Sequence, residues 1–164
     1  MNNIRIITDS SCDLNKDIIE KYNIKVVPLN VSFGEEIYMD GELDNKEFYE
    51  KMKNSKELPK TSCPSPERFI NSYEGDEDVI VLTISSKLSG TYSAALLAKN
   101  MMLEENPNKK IEVIDTKTGS ILHGQLIVKA AKLVEEGKSF EEIVKTIEEI
   151  REDKEFFGSL ETLD

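Results

Sequence analysis

Short apolar runs alternate with amphipathic stretches along almost the whole chain, and this alternation predicts strands and helices in turn. The apolar runs lie at residues 4–8, 24–31, 79–84 and 111–114. Stretches with helical spacing or capping signals lie at residues 14–22, 90–105, 120–136 and 139–152, and further helices begin near residues 44 and 65. The run at residues 79–84 is nearly continuous, which is typical of a strand covered on both faces.

The order of these elements predicts an α/β fold with three layers, α/β/α, around a mostly parallel sheet. We assign residues 1–155 to this domain and expect another strand at residues 156–160. Pro28 lies inside the predicted strand at 24–31, which indicates an edge strand or a bend. Alternating apolar residues on both sides of Gly34-Glu35 predict a hairpin.

Helix starts are marked by capping signals at three places. Asp44 with Glu47 and Ser139 with Glu142 have the spacing of a capping box. Ser65 is predicted at the N-cap of another helix, with the proline that follows it at the first helical position.

Hydroxyl-rich loops follow three of the predicted strands. Residues 8–11 read Thr-Asp-Ser-Ser, residues 85–93 contain six hydroxyl groups and no acid, and residues 115–116 read Asp-Thr. Because ligands of parallel α/β sheets bind outside the carboxyl ends of the strands, we expect a ligand site at this edge.

The segment Ser89-Gly90-Thr91 lies at a predicted helix start. Free backbone N–H groups and the positive end of the helix dipole favour an anion there, and hydroxyls add donors without adding charge. Gly90 lets a ligand approach the backbone closely. A carboxylate or phosphate could be held in this way; in the alternative interpretation, Ser89 only caps the helix.

Thr61 and Ser62 lie in a loop stiffened by prolines and could face Ser89 across a cleft, or their hydroxyls could satisfy the loop's own backbone.

Further candidates for the pocket are Asp9, Ser10, Thr91 and His123. Asp9 could bind a ligand, or its carboxyl group could cap the turn that follows strand one. An α/β hydrolase or transferase acting through Asp9 and Ser89 is one alternative function. It would need a general base beside Ser89, and the one histidine, His123, falls within a predicted helix and fits a core or surface-lining position better. A regulatory or scaffold module that binds no small ligand is another alternative.

The composition of the chain limits the classes of partner that it could bind. The 164 residues carry a formal net charge of −11, which opposes binding to nucleic acid or to an anionic membrane. No run of apolar residues is long enough for a membrane span, so we expect no stable membrane insertion and a cytoplasmic protein. The two cysteines, Cys12 and Cys63, have no metal-ligand spacing, and we interpret them as reduced thiols in a protein without metal or cofactor.

Four segments together resemble the DegV family, and the resemblance covers the whole chain. They read Ile-Ile-Thr-Asp-Ser at 6–10, Lys-Thr-Ser-Cys-Pro-Ser-Pro at 60–66, Ser-Ser-Lys-Leu-Ser-Gly-Thr-Tyr at 85–92 and Ile-Asp-Thr-Lys at 114–117. The second and third are the most specific.

The resemblance implies a bacterial carrier that binds a long-chain fatty acid and presents it to a fatty-acid kinase, without being a catalyst itself. The tail would lie between two lobes, and Thr61, Ser62, Ser89 and Gly90 would hold the carboxyl group. Neutral donors suit a carboxylate that must be bound and then handed on.

The chain departs from the family pattern in three respects. Cys63 stands where glutamine is frequent, and residues 121–125, Ile-Leu-His-Gly-Gln, stand where smaller residues are expected. Members of the family continue into a second lobe, and we interpret residues 156–164 as the start of a truncated one. We therefore expect weaker fatty-acid binding by this chain than by a complete protein, and self-association through the exposed half of the tunnel.

Overall fold

The structure is a computed structural model that describes residues 3–153. Within these residues the strands are Ile4–Asp9 (β1), Lys25–Val27 (β2), Asn30–Phe33 (β3), Glu36–Met39 (β4), Lys60–Ser62 (β5), Asp78–Thr83 (β6) and Ile111–Asp115 (β7). The α-helices are Lys16–Lys21 (α1), Asn45–Asn54 (α2), Pro66–Tyr73 (α3), Thr91–Glu105 (α4), Ser120–Glu135 (α5) and Phe140–Glu152 (α6), and a 3₁₀ turn, Ser10–Cys12, follows β1. The predicted strand at 156–160 and the domain boundary after residue 155 lie outside the described residues.

Four strands form a parallel sheet in the order β2-β1-β6-β7, which confirms the predicted α/β fold. Asp9 is in register with Val27, and Thr83 is in register with Asp115. The carboxyl ends of these strands therefore meet at one edge, as the positions of the hydroxyl-rich loops predicted.

The sheet is covered on both faces by apolar helix surfaces. On one face Ile6, Ile80 and Leu82 pack in a cluster that includes residues of α5 and α6. On the other face Ile7 and Val81 pack with residues of α3 and α4. Burial on both faces explains why residues 79–82 are an unbroken apolar run with no exposed side chain.

Pro28 ends a strand instead of lying within one, so the prediction of one strand at residues 24–31 was wrong. The segment divides into β2, in the parallel sheet, and β3, in a separate antiparallel sheet. Proline has no N–H to donate to a strand ladder. The carbonyl oxygen of Pro28 accepts a hydrogen bond from Arg68 Nη1 at 3.1 Å. The N–H of the next residue, Leu29, donates to Ser10 Oγ at 3.1 Å.

The antiparallel sheet has the order β4-β3-β5 and adds a small subdomain to the main sheet. Its β3–β4 hairpin pairs Val31 with Tyr38 around Gly34, which has φ of +62°, as predicted. Its third strand was not predicted, because Thr61 and Ser62 were assigned to a loop.

Both predicted capping boxes are confirmed. The side chains of Asp44 and Ser139 accept hydrogen bonds from the backbone three residues on, and Glu47 and Glu142 reach back to the N-cap N–H groups. Ser65 is the N-cap of α3, but its side chain forms no capping hydrogen bond.

Gly124 of α5 touches the backbone of the turn after β1. A Cβ atom at this position would lie 2.5 Å from the carbonyl oxygen of Cys12 and 3.0 Å from Leu14 Cδ2. We expect Gly124→Ala to destabilise the protein by about 1–3 kcal/mol, because the backbone oxygen cannot move aside. This exceeds the roughly 1 kcal/mol that alanine gains in helix propensity.

Urea unfolding monitored by circular dichroism checks this prediction. Gln125→Ala, at the exposed neighbouring position, is the control and should change the free energy of unfolding by less than about 0.5 kcal/mol. An unchanged or higher midpoint for Gly124→Ala would contradict the packing argument.

Candidate ligand-binding site

Hydrogen bonds join the loops that leave β6 and β7 at the carboxyl edge of the sheet. The N–H and the hydroxyl of Thr116 both donate to the carbonyl of Thr83, at 3.2 and 2.7 Å. The N–H of Ser85 donates to the carbonyl of Thr118 at 2.8 Å. The hydroxyl-rich loop after β6 therefore starts from a fixed position.

Asp115 fixes the next residue of that loop. Its carboxyl oxygens accept from the Ser86 N–H at 3.1 Å, from the Ser86 hydroxyl at 2.5 Å and from the Lys117 N–H at 2.9 Å. Partial burial favours the protonated acid, but these hydrogen bonds and the charge of Arg151 outweigh it, so the pKa of Asp115 is lowered.

Ser89 and Thr91 bind each other at the start of α4. Their hydroxyl oxygens are 2.9 Å apart, and the Thr91 N–H donates to Ser89 Oγ at 3.3 Å. Gly90, not Ser89, is the N-cap residue of α4 and has no side chain to cap it. Thr91 is fully buried, whereas Gly90 is exposed beside the half-buried Ser89, so the positive end of α4 borders solvent at Gly90.

β5 brings the Thr-Ser-Cys segment to the same place. A Cβ atom on Gly90 would lie 3.4 Å from Cys63 Sγ, so the residue after β5 touches the start of α4. Ser62 Oγ accepts from Asn30 Nδ2 at 3.2 Å, and the same amide donates to the Cys63 carbonyl at 3.3 Å. Thr61 and Ser62 are both exposed, and strand alternation places them on opposite faces of the small sheet.

Asp9 lies inside the edge and does not face a cleft. Its side chain is fully buried and accepts from the N–H and the hydroxyl of Ser11 and, at 2.8 Å, from the N–H of Ile84. It caps the 3₁₀ turn after β1, in agreement with the alternative interpretation. Ser10 donates to Asp40 Oδ2 at 2.6 Å and links the two sheets.

His123 is a fully buried core residue between two strand ends. Its Nε2 lies 3.0 Å from Thr8 Oγ1 and its Nδ1 lies 3.1 Å from Thr116 Oγ1. Because the Thr116 proton is directed to the Thr83 carbonyl, Thr116 accepts from Nδ1–H, and Nε2 is left to accept from Thr8. Burial lowers the pKa of His123, and the nearby acids Asp9 and Asp13 oppose that shift only in part.

This geometry gives no support to the hydrolase or transferase hypothesis. The groups that would serve as base or acid, Asp9 and His123, are fully buried, with hydrogen bonds to strand ends and turns. The hydroxyl of Ser89 is bonded to Thr91. The hydroxyls and backbone N–H groups gathered at this edge are uncharged donors.

Sequence reasoning missed Asn30 and the structural role of Asp115. Asn30 contacts the segment after β5 because β3 and β5 pair across 32 residues of chain, and no local pattern reports such a pairing. The sequence did place Asp115 at the end of a strand. An acid there can accept hydrogen bonds from the hydroxyls of the loop after β6, and this complementarity was the signal that could have revealed its role.

In residues 3–153 no group of three or more metal-ligating side chains could hold a metal ion, and no helix there is long and apolar enough to cross a membrane.

Residues 3–164 match the family model described as uncharacterised protein, DegV family. The chain belongs to the DegV family. A DegV domain-containing protein of Clostridium perfringens is 41% identical over 169 residues, covering 100% of this chain and 59% of the relative.

Two solved structures share the fold. A DegV family protein from Ruminococcus gnavus, refined with vaccenic acid, matches with a TM-score of 0.87 and 31% identity over 93% of this chain and 56% of that one. The fatty acid kinase (Fak) B3 protein of Streptococcus pneumoniae, loaded with linoleic acid, matches with a TM-score of 0.80 and 32% identity over 93% of this chain and 55% of that one. This DegV chain therefore spans little more than half the length of these relatives.

Protonation of His123 should make the stability of this DegV chain depend on pH. The folded pKa is lowered, so the unfolded chain binds the proton more readily, and stability is complete above the ordinary value of about 6.5 and falls below it. We expect a loss of up to about 1.4 kcal/mol per pH unit, measured by urea unfolding between pH 7.5 and 5.5. His123→Gln should abolish this dependence; a flat wild-type profile would contradict the prediction.

Replacing Asp115 should loosen the loop that carries Ser89. Asp115→Asn keeps the shape but weakens the bonds to Ser86 and Lys117, and at this half-exposed position we expect a loss of about 1 kcal/mol. Because the folded pKa is lowered, the stability difference from wild type should be present at neutral pH and shrink as acid protonates Asp115.

Hydrogen exchange of the amides at residues 86–90 is the direct measurement for Asp115→Asn. Asp76→Asn, at an exposed turn position, is the matched control and should leave exchange in that loop unchanged. Equal exchange rates in Asp115→Asn and wild type would show that Asp115 does not hold the loop.

Proposed function

We propose that this chain is the lobe of a fatty-acid carrier that holds the carboxyl group of a long-chain fatty acid. The observation that carries the proposal is the approach of Cys63, just after β5, to Gly90 at the start of α4, where a Cβ atom on Gly90 would lie 3.4 Å from Cys63 Sγ. Solved relatives with this fold contain vaccenic acid and linoleic acid. Ser62, Ser89, Gly90 and Thr61 are the proposed head-group residues.

The chemistry of these groups fits reversible binding of a carboxylate. Hydroxyls and the first N–H groups of α4 donate to an anion, and the helix dipole adds a favourable partial charge. A lysine or arginine in the same place would form a charge-assisted pair about twice as strong. Uncharged donors hold the head group specifically and still allow its release.

In the proposal, four residues support the head-group site from within the protein: Asp9, Ser10, Thr91 and His123. Thr91 orients the hydroxyl of Ser89, and the other three hold strand ends and turns in place. They fix the positions of the donors and do not contact the ligand.

The exposed position of the proposed head-group site indicates how a partner protein could reach the bound carboxyl group. A carboxyl group bound at the exposed edge remains open to a second protein, and one relative is a component of a fatty acid kinase. We propose that the carrier presents the carboxyl group to a fatty-acid kinase in the cytoplasm, which forms the acyl-phosphate, while the carrier itself performs no catalysis and uses no cofactor.

The tail requires more protein than residues 1–155. This chain matches only 59% of one relative and 56% of another, and we propose that a second lobe, starting at residues 156–164, covers the acyl chain. Each buried methylene contributes about 0.8 kcal/mol, so this lobe alone should bind a fatty acid far more weakly than a complete protein. The large apolar side chains that this lobe exposes, including Ile37, Leu88 and Ile121, make self-association a further prediction.

An NMR titration of the ¹⁵N-labelled chain with a monounsaturated fatty acid tests the head-group site. We expect amide shifts at Thr61, Ser62 and residues 89–91. Ser89→Ala should weaken binding about tenfold or more, because it removes a hydrogen bond to a charged group.

Ser55→Ala, at the half-buried C-cap position of α2, is the matched serine control for this titration and should bind as wild type does. Shifts confined to other regions, or full affinity in Ser89→Ala, would overturn the assignment of the site.

A further inference from the structure

A groove of about 380 Å³ runs between α5 and the start of the chain's first helix. Its walls are mainly apolar and are formed by Cys12, Leu14, Ile18, Ile121 and Val128. Helices α1 and α5 pack on one face of the sheet and α4 on the other, so this groove is not part of the proposed head-group site. Its volume falls within the roughly 300–1,000 Å³ of small-molecule pockets.

The acidic and basic groups of the groove lie at different places along α5. Asp13, which accepts from the Ser120 hydroxyl at 2.5 Å, marks the end where α5 begins. Lys129 and Lys132 line the groove farther along the helix. At 1.5 Å per residue, Ile121 and Lys132 are about 16 Å apart along the helix axis. The groove is thus an apolar channel with an acid at one end and two ammonium groups at the other.

The two lysines are not neutralised by the protein. In the part of the chain that the structure describes, the side-chain ammonium groups of Lys129 and Lys132 form no ion pair and no hydrogen bond. The chain as a whole carries a net charge of −11, so its surface repels anions in general. A local pair of free cations beside an apolar channel is complementary to an anionic group attached to an alkyl chain.

We propose that this groove is a second ligand site, which binds a monomeric alkyl carboxylate. The carboxylate lies between Lys129 and Lys132, and the alkyl chain runs along α5 toward Ile121. Asp13 at the far end sets the direction, because it repels a carboxylate placed there. The site uses charged lysines, whereas the head-group site uses uncharged donors, and either can be tested without the other.

Decanoate and decanol, used below the concentration at which decanoate forms micelles, are the probes. In an NMR titration of the labelled 164-residue chain, we expect decanoate to shift the amides of Leu14, Ile18, Gln125 and Val128. Two exposed ion pairs should make decanoate bind about three- to tenfold more tightly than decanol. Shifts at Ser62 and Ser89 report the head-group site separately.

Lysine stems also cover apolar surface, and the variants separate the charge from the stem. Lys129→Met with Lys132→Met keeps the stems, so it should erase the preference for decanoate while leaving decanol binding unchanged. Lys46→Met with Lys53→Met on the exposed face of α2 is the matched control and should retain the preference. Val128→Phe fills the groove and should weaken both ligands, with the dispersed amide spectrum confirming that it folds.

Three outcomes would overturn the proposal. One is the absence of shifts in the groove at saturating decanoate. Another is a preference for decanoate that survives in the Lys129→Met, Lys132→Met variant. The third is a groove that responds to phosphatidylglycerol vesicles and not to decanoate, which would make it a lipid-surface contact. Groove shifts that persist in Ser89→Ala would support two separate sites.

Discussion

The buried carboxyl group of Asp9 holds together the edge on which the candidate site depends. It accepts from the turn after β1 and from the N–H of Ile84, the first residue after β6, so two neighbouring strands end at a fixed separation. His123 adds a second link, from α5 to Thr8 near the end of β1 and to Thr116 just after β7. An acid and a histidine inside the sheet edge are used for structure, and the exposed side of the same edge carries the hydroxyl-rich loops.

This division explains the chemistry of the exposed side. The loop after β6 is anchored by hydrogen bonds at Ser85 and Ser86, and these contacts fix where Ser89 and the start of α4 lie. A frame of buried hydrogen bonds fixes the positions of the uncharged donors in the proposed head-group site. Donors held in fixed positions lose less conformational freedom when a ligand binds.

The small antiparallel sheet is the second condition for the site. It is tied to the main sheet through Ser10 and the backbone at Leu29, and it delivers β5 to the start of α4. A Cβ atom at residue 90 would lie 3.4 Å from Cys63 Sγ, which is ordinary van der Waals contact, so packing against Cys63 does not by itself require glycine there.

Local features of the fold followed from the sequence alone. The alternation of apolar runs with helical stretches predicted the parallel α/β sheet, and the capping boxes at Asp44 and Ser139 were predicted correctly, because both depend on residues within a few positions of each other. The sequence motifs also placed Ser62 and Ser89 among the candidates. Their chemistry is a property of the residues themselves.

The tertiary structure determined features of the fold that no local sequence pattern predicts. The break at Pro28 into two sheets, the pairing of β5 with β3 and the inward direction of Asp9 depend on partners 19 to 75 residues away in the chain. Which hydroxyls face a ligand and which brace the frame is fixed by those long-range contacts. The sequence by itself determined the kinds of groups at the edge, and packing determined which of them remained free, because hydrogen-bond partners are chosen in space and not along the chain.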